Sequence, residues 1–151
     1  MDDEIKLLFE FNESDFTAPY QFELFKYWQN LKQGRLMPAR SEIKVEDLKK
    51  NLPTLMLLDF DKDKETFSFR LIGTACVKYY GELTGKIMND YEQHSQAVKR
   101  LLWSVHHKKP YYGIKNLANL NKNYISTSFI VLPLSEDGEN VDKLLVSHHF
   151  Y

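Results

Sequence analysis

Apolar side chains recur along this chain with two periods. Between residues 20 and 34, Leu24, Trp28 and Leu31 fall at helical spacing, as do Phe25 and Trp28, and Gly34 is a natural stop. Pro38 then breaks the chain, and a second short helix is expected from Val45 to Leu52, with Ser41 ahead of it and Pro53 as its terminator. Residues 54–60 and 66–72 read as a hairpin across Asp61 to Glu65. Strict alternation on the second strand puts Phe67, Phe69 and Leu71 on one face, and Ser68, Arg70 and Ile72 on the other. A short helix at 74–81 and an irregular segment at 84–91 lead to the long helix expected over 92–108. Val98, Leu101, Leu102 and Val105 mark its buried stripe. Lys108 and Lys109 suit the negative end of its dipole, and Pro110 ends it.

Three strands follow, at about 111–119, 123–133 and 142–150. The Asn-rich run 119–123 and the Ser135–Asn140 segment form their turns. Helices, a hairpin, helices and three strands imply an α+β fold around an antiparallel sheet of five strands. At 151 residues, 43% hydrophobic and 14% aromatic, the chain is large enough to bury a core without staples. Ten Phe and nine Tyr suit strands and an aromatic-lined cavity.

Charge narrows the class. The net charge is −1, with no basic footprint of a nucleic-acid binder. Asp2, Asp3, Glu4, Glu10, Glu13 and Asp15 oppose Lys6 alone, so residues 1–19 are expected to be a solvated acidic arm ahead of one domain over 20–151. No apolar run reaches the ~20 residues that cross a bilayer, and no secretory signal opens the chain. No membrane partner and a cytoplasmic location are therefore expected. Cys76 is the single cysteine, so no internal disulfide and no cysteine-based zinc site is expected.

The ordered parts now fit a known family. Tyr27-Trp28, Pro38-Ala39-Arg40 and Leu52-Pro53 precede Phe69-Arg70-Leu71-Ile72-Gly73-Thr74 and Leu83-Thr84-Gly85. Val131-Leu132-Pro133-Leu134, Asp137-Gly138 and Leu144-Leu145 follow. This layout resembles a PAS sensor domain, and more specifically a bacterial family of short proteins in which one PAS domain makes up most of the chain. The resemblance covers residues 20 to 150. It implies a PAS-like five-stranded antiparallel sheet with flanking helices, an N-terminal helical extension and a small pocket. It also implies sensing of a ligand or a signalling protein, and supplies no fixed ligand or catalytic residue.

Candidate chemistry is sparse. Arg70, mid-strand among aromatics, would clamp a carboxylate at a pocket wall or pair with an acid such as Glu42 or Asp59. Arg40 has the same functional reading, or it caps a helix or binds a loop carbonyl. Tyr79, Tyr80, Met88, Trp103, Tyr112 and Phe129 are candidate pocket walls or plain core. Ser128, within Ser126-Thr127-Ser128, would present a hydroxyl to a cavity. From these, Arg70, Tyr80, Met88, Trp103, Tyr112 and Ser128 are the candidate ligand site. The ligand would be small and either apolar or carboxylate-bearing. Gly73 would permit positive φ or a close backbone approach, and Thr74 would cap the following helix.

The histidines do not make a metal site. His106 and His107 point about 100° apart on a helix, and His148 and His149 face opposite sides of a strand. A haem would need a large apolar cavity with one inward histidine from the long helix. Cys76, beside Val77, Lys78 and Tyr79, reads as structural rather than as a flavin-adduct cysteine. Apolar groups on more than one face of helix 20–34 imply a homodimer through it. No nucleophile–base pair is visible, so catalysis is not expected. The rival is a cone-shaped α+β pocket protein with isomerase-like or hydrophobic-ligand-binding activity, whose base would be Asp59, Asp90 or His148.

Overall fold

The hairpin at 55–72 and the three later strands belong to one antiparallel sheet, which a sixth strand from the N-terminus extends. A computed structural model describes residues 5–116 and 126–151. Its elements are β1 (Ile5–Leu8), α1 (Pro19–Lys32), β2 (Leu55–Asp61), β3 (Thr66–Ile72), α2 (Thr74–Tyr80), α3 (Ser95–His107), β4 (Tyr111–Asn116), β5 (Ser126–Leu134) and β6 (Lys143–Phe150). The strand order is β1-β4-β5-β6-β2-β3, and every neighbouring pair is antiparallel. The Asn-rich turn expected at 119–123 lies outside the described residues.

The expected helices are present with adjusted ends. Pro19 opens α1 at a position whose N–H needs no intrahelical partner, and Gln33 and Gly34 close it at φ 46° and 82°. The segment expected as a helix at 45–52 instead forms two 3₁₀ turns, at Val45–Leu48 and Leu52–Thr54. A 3₁₀ turn at Glu92–His94 precedes α3.

Residues 5–8 depart from the solvated arm expected over 1–19. Ile5 to Leu8 pair with Lys115 to Tyr112. Without β1, β4 would carry a row of unpaired backbone groups at the sheet edge, and four residues of backbone pairing outweigh the surrounding acidity.

A second departure is on β3. Leu57 pairs with Leu71 while Leu58 pairs with Phe69, so Arg70 is the extra residue of a bulge. The bulge reverses the alternation. Phe67 and Phe69 are buried at 0% and 1% exposure, and Leu71 emerges on the opposite face at 45%.

Both sheet faces are covered. On one, α1 lies across β5 and β6 through Gln21, Leu24 and Trp28, one buried stripe at spacings of three and four. On the other, α3 crosses β5 with Val98, Leu101 and Val105 inward. The apolar flanks of α1 that suggested a dimer meet the same chain. Phe25 packs against Phe11 at 5.0 Å and Phe22 against Phe16 at 5.3 Å, and the Tyr27 hydroxyl donates to Asp47 at 2.9 Å.

Gly73 joins β3 to α2. Its φ is −66°, so positive φ is not its reason. A β-carbon there would collide with the carbonyl oxygens of Leu52 and Pro53, and its N–H donates to Leu55 O at 2.7 Å. Close approach is the requirement. Gly73 itself is the N-cap and has no side chain to cap with, so the cap expected of Thr74, which is the first helical residue, is absent. Gly73→Ala is expected to destabilise the fold by about 3 kcal/mol, measured by urea unfolding. A loss below about 0.5 kcal/mol would show that the Leu52–Pro53 backbone yields freely.

Candidate functional site

Strand alternation sorts the central residues between the two faces. Tyr111, Phe129, Val131, Val146, His148, Met56 and Leu58 face α3, and with Phe69, Tyr80, Met88, His94, Ala97, Arg100 and Leu101 they line a cavity of about 90 Å³. Every wall but a few polar tips is aliphatic or aromatic. Gly113 contributes by lacking a side chain. A β-carbon there would strike the Phe129 ring, which lies over β4 in the space this leaves.

Arg100, Tyr80, Tyr111 and His148 bring polar groups to these walls. The Arg100 guanidinium carbon sits 5.9 Å from the Phe129 ring centroid, in cation–π range. Arg100 also hydrogen-bonds the Tyr111 side chain and acts electrostatically on Tyr80. Desolvation holds both phenols protonated, well above the usual tyrosine range, although Arg100 opposes that shift. The His148 ring packs against Tyr80 at 5.6 Å and Phe129 at 6.2 Å, with Nδ1 3.6 Å from Cys76 Sγ. Burial pushes His148 down to about 4, against a backbone hydrogen bond at Thr54, so the imidazole is neutral at pH 7. Burial likewise pushes Cys76 up to about 12, which leaves an unreactive thiol.

The six residues expected to form a ligand site separate. Tyr80 and Met88 line the cavity, as does Phe129. Arg70, at the bulge, has a side chain 67% exposed and 4.0 Å from Asp59, so it is a surface pair and not a pocket clamp. Arg40 donates to the Ile43 carbonyl at 3.1 Å. Trp103 stacks on His107 at 4.5 Å and meets Tyr111 edge-on at 6.0 Å, outside the cavity wall. Tyr112 and Ser128 point to the opposite face, under α1.

There they form a buried polar seat for the helix. Tyr112 and Ser128 donate to Gln21 Oε1 at 3.0 and 3.1 Å, and Gln21 Nε2 donates to the Ser147 carbonyl at 3.1 Å. Thr17 Oγ1 lies 2.6 Å from Ser128 Oγ and 2.8 Å from His149 Nδ1. Tyr20 donates to the His148 carbonyl at 2.6 Å. Gln21 is fully buried, and each of these polar atoms has a partner, which is the condition for such a network to stabilise rather than cost.

Sequence reasoning missed Arg100, Tyr111, His94 and, as a pocket wall, His148. Arg100 reads as an exposed helix position beside Lys99. It lies one residue before Leu101 of the buried stripe, and that adjacency is the signal that was present. His94 and His148 both face the cavity, so the solitary inward histidine required for haem is not what the fold offers. A cavity of about 150 Å³ holds benzene, and ~90 Å³ is far too small for a haem or a flavin. Among the described residues no group of three or more His, Cys, Asp or Glu is placed to hold a metal ion. Also among them, no helix is long and apolar enough to cross a membrane.

Comparison with known proteins agrees with this geometry. No curated protein and no solved structure matches the chain. A family model described as a PAS domain matches residues 16–147, which takes in α1, α3 and every cavity-lining residue except His148. The chain belongs to the PAS domain family.

Proposed function

We infer that this protein is a cytoplasmic, non-catalytic sensor of bacterial signalling, in which a small molecule enters the cavity between the sheet and α3. The observation that carries this reading is the apolar cavity of about 90 Å³ on the sheet face away from α1. Strand β6 supplies a route outward. His148 faces the cavity, while Ser147 and His149 on either side of it hold Gln21 and Thr17 of the α1 region. Occupancy that displaces His148 strains those bonds, and the equilibrium between docked and loosened α1 shifts by the ligand's differential affinity for the two. A signalling protein, or a second copy meeting α1, would read that change. A monomer by light scattering at high concentration would remove the second copy.

The cone-shaped enzyme reading is weaker on specific grounds. It needs an Asp or His base facing the cavity, and among the described residues no Asp or Glu lines it. Asp59 pairs with Lys143 at 3.4 Å and Asp90 is exposed. His148 does face the cavity, but with its pKa near 4 it is a poor proton acceptor at neutral pH.

Xenon tests the cavity without presuming a ligand, since it enters dry apolar voids. Under a few atmospheres of xenon, amide NMR shifts are expected at Val131, Val146 and Leu101, followed by smaller shifts at Gln21 and Thr17. Native mass spectrometry and an absorption spectrum of the purified protein identify any small molecule that co-purifies. Absence of xenon shifts at the cavity residues, with no retained molecule, would mean a solid interior and end the ligand-sensing reading.

A further inference from the structure

We propose that the cavity selects a short-chain monocarboxylate, with Arg100 as the residue that holds its carboxylate. The inference rests on the reading of the cavity as a ligand site, and adds the chemical class.

Three observations carry it. Arg100 Nε is buried and has no hydrogen-bond partner among the described residues. Among the described residues no carboxylate lies within ion-pair distance of Arg100, although Arg35, Arg70 and Lys143 all have acidic partners. Among the described residues the cavity lining contains one permanent cation and no acid. Arginine stays charged in any protein environment. A partly buried guanidinium without a counter-ion is costly, and an unmet N–H adds the desolvation penalty of its own atom. An anion arriving at this wall removes both costs.

Geometry favours a carboxylate over other anions. The guanidinium fork pairs with two oxygens in a plane, and the Tyr111 hydroxyl beside it supplies a further donor because burial keeps that phenol protonated. Beyond these groups the walls are Met56, Leu58, Phe69, Val131 and Val146, which reward an alkyl tail and repel a hydrated phosphate. Size sets the tail. Since ~150 Å³ holds benzene, ~90 Å³ takes on the order of four or five heavy atoms, a carboxylate of about two or three carbons.

The test is calorimetric titration of the full chain with sodium propionate and with propionamide, its neutral isostere, at constant ionic strength in chloride. Propionate is expected to bind at least tenfold more tightly. Arg100→Met, which keeps the stem's length and apolar contacts, is expected to abolish that preference while leaving xenon entry unchanged. Arg100→Lys retains charge without the fork and is expected to lose most of it. If R100M fails to fold, the wild-type preference and the R100K variant decide the matter. Equal binding of acid and amide, an unchanged preference in R100K or R100M, or no propionate binding by a protein that admits xenon would each overturn the assignment. None of these results would touch the cavity's role as a ligand site. Failure of xenon entry would remove that role too.

Discussion

Replacing Trp28 with alanine is expected to destabilise the protein by about 3–5 kcal/mol. Trp28 is 3% exposed on the stripe that α1 lays on the sheet. Its indole N–H donates to the Pro133 carbonyl at 2.9 Å, Phe25 stacks on it at 6.2 Å, and Lys32 sits 5.3 Å over the ring. Truncation removes the apolar burial, leaves a void the size of two fused rings, and orphans an acceptor on β5. Trp28→Phe separates these causes. It keeps most of the ring area and is expected to cost only about 1–2 kcal/mol, mainly the lost hydrogen bond. Urea unfolding followed by circular dichroism measures both. A loss under about 1 kcal/mol for the alanine variant would mean that α1 is not firmly docked, and that the route from His148 to Gln21 is broken before any ligand binds.

His148 is expected to make stability fall as the pH drops from about 6.5 towards 4. Its folded pKa is depressed from 6.5 to about 4 by burial. In that window the unfolded chain binds a proton that the folded chain refuses, so acid favours unfolding. Above 6.5 the contribution is fully present, and below about 4 no further loss comes from this group. Converted through the linkage relation, the loss is about 3 kcal/mol. His94 and His149 are also lowered by burial and add slope of the same sign, so the comparison must be with a variant. His148→Gln, neutral at every pH, is expected to show a stability change between pH 7.5 and 4 smaller than the wild type's by about 3 kcal/mol. Identical pH profiles would mean that the imidazole is hydrated in the folded protein and does not seal the cavity.

The sequence carried the order of elements and the antiparallel sheet, because helical and strand periods are local and Gly34, Pro53, Gly73 and Pro110 punctuate them. It carried less of the site. Tyr112 was expected at the pocket and Tyr111 occupies it. Ser128 was expected there beside Phe129, and Phe129 alone of the two occupies it. Each miss is one residue of strand parity. Ordinarily the polar face of a strand betrays the parity. Here α1 covers one face and α3 the other, so β5 is buried on both sides and the alternation is lost. On β3 the parity was legible until Arg70, where the bulge reversed it. A bulge depends on the partner strand's register, which β3 alone does not encode.

By itself the sequence determined that this chain folds as α+β strands and helices around an antiparallel sheet, since that follows from spacing, breakers and the Gly73 junction, and the resemblance of that layout to a PAS domain pointed to the family. Tertiary structure alone decided which side of the sheet holds the cavity, that Ile5–Leu8 closes its edge, and that Arg100 rather than Arg70 meets it. Those outcomes depend on which helix packs on which face. Residues far apart in the chain set that packing through the surface they can jointly bury.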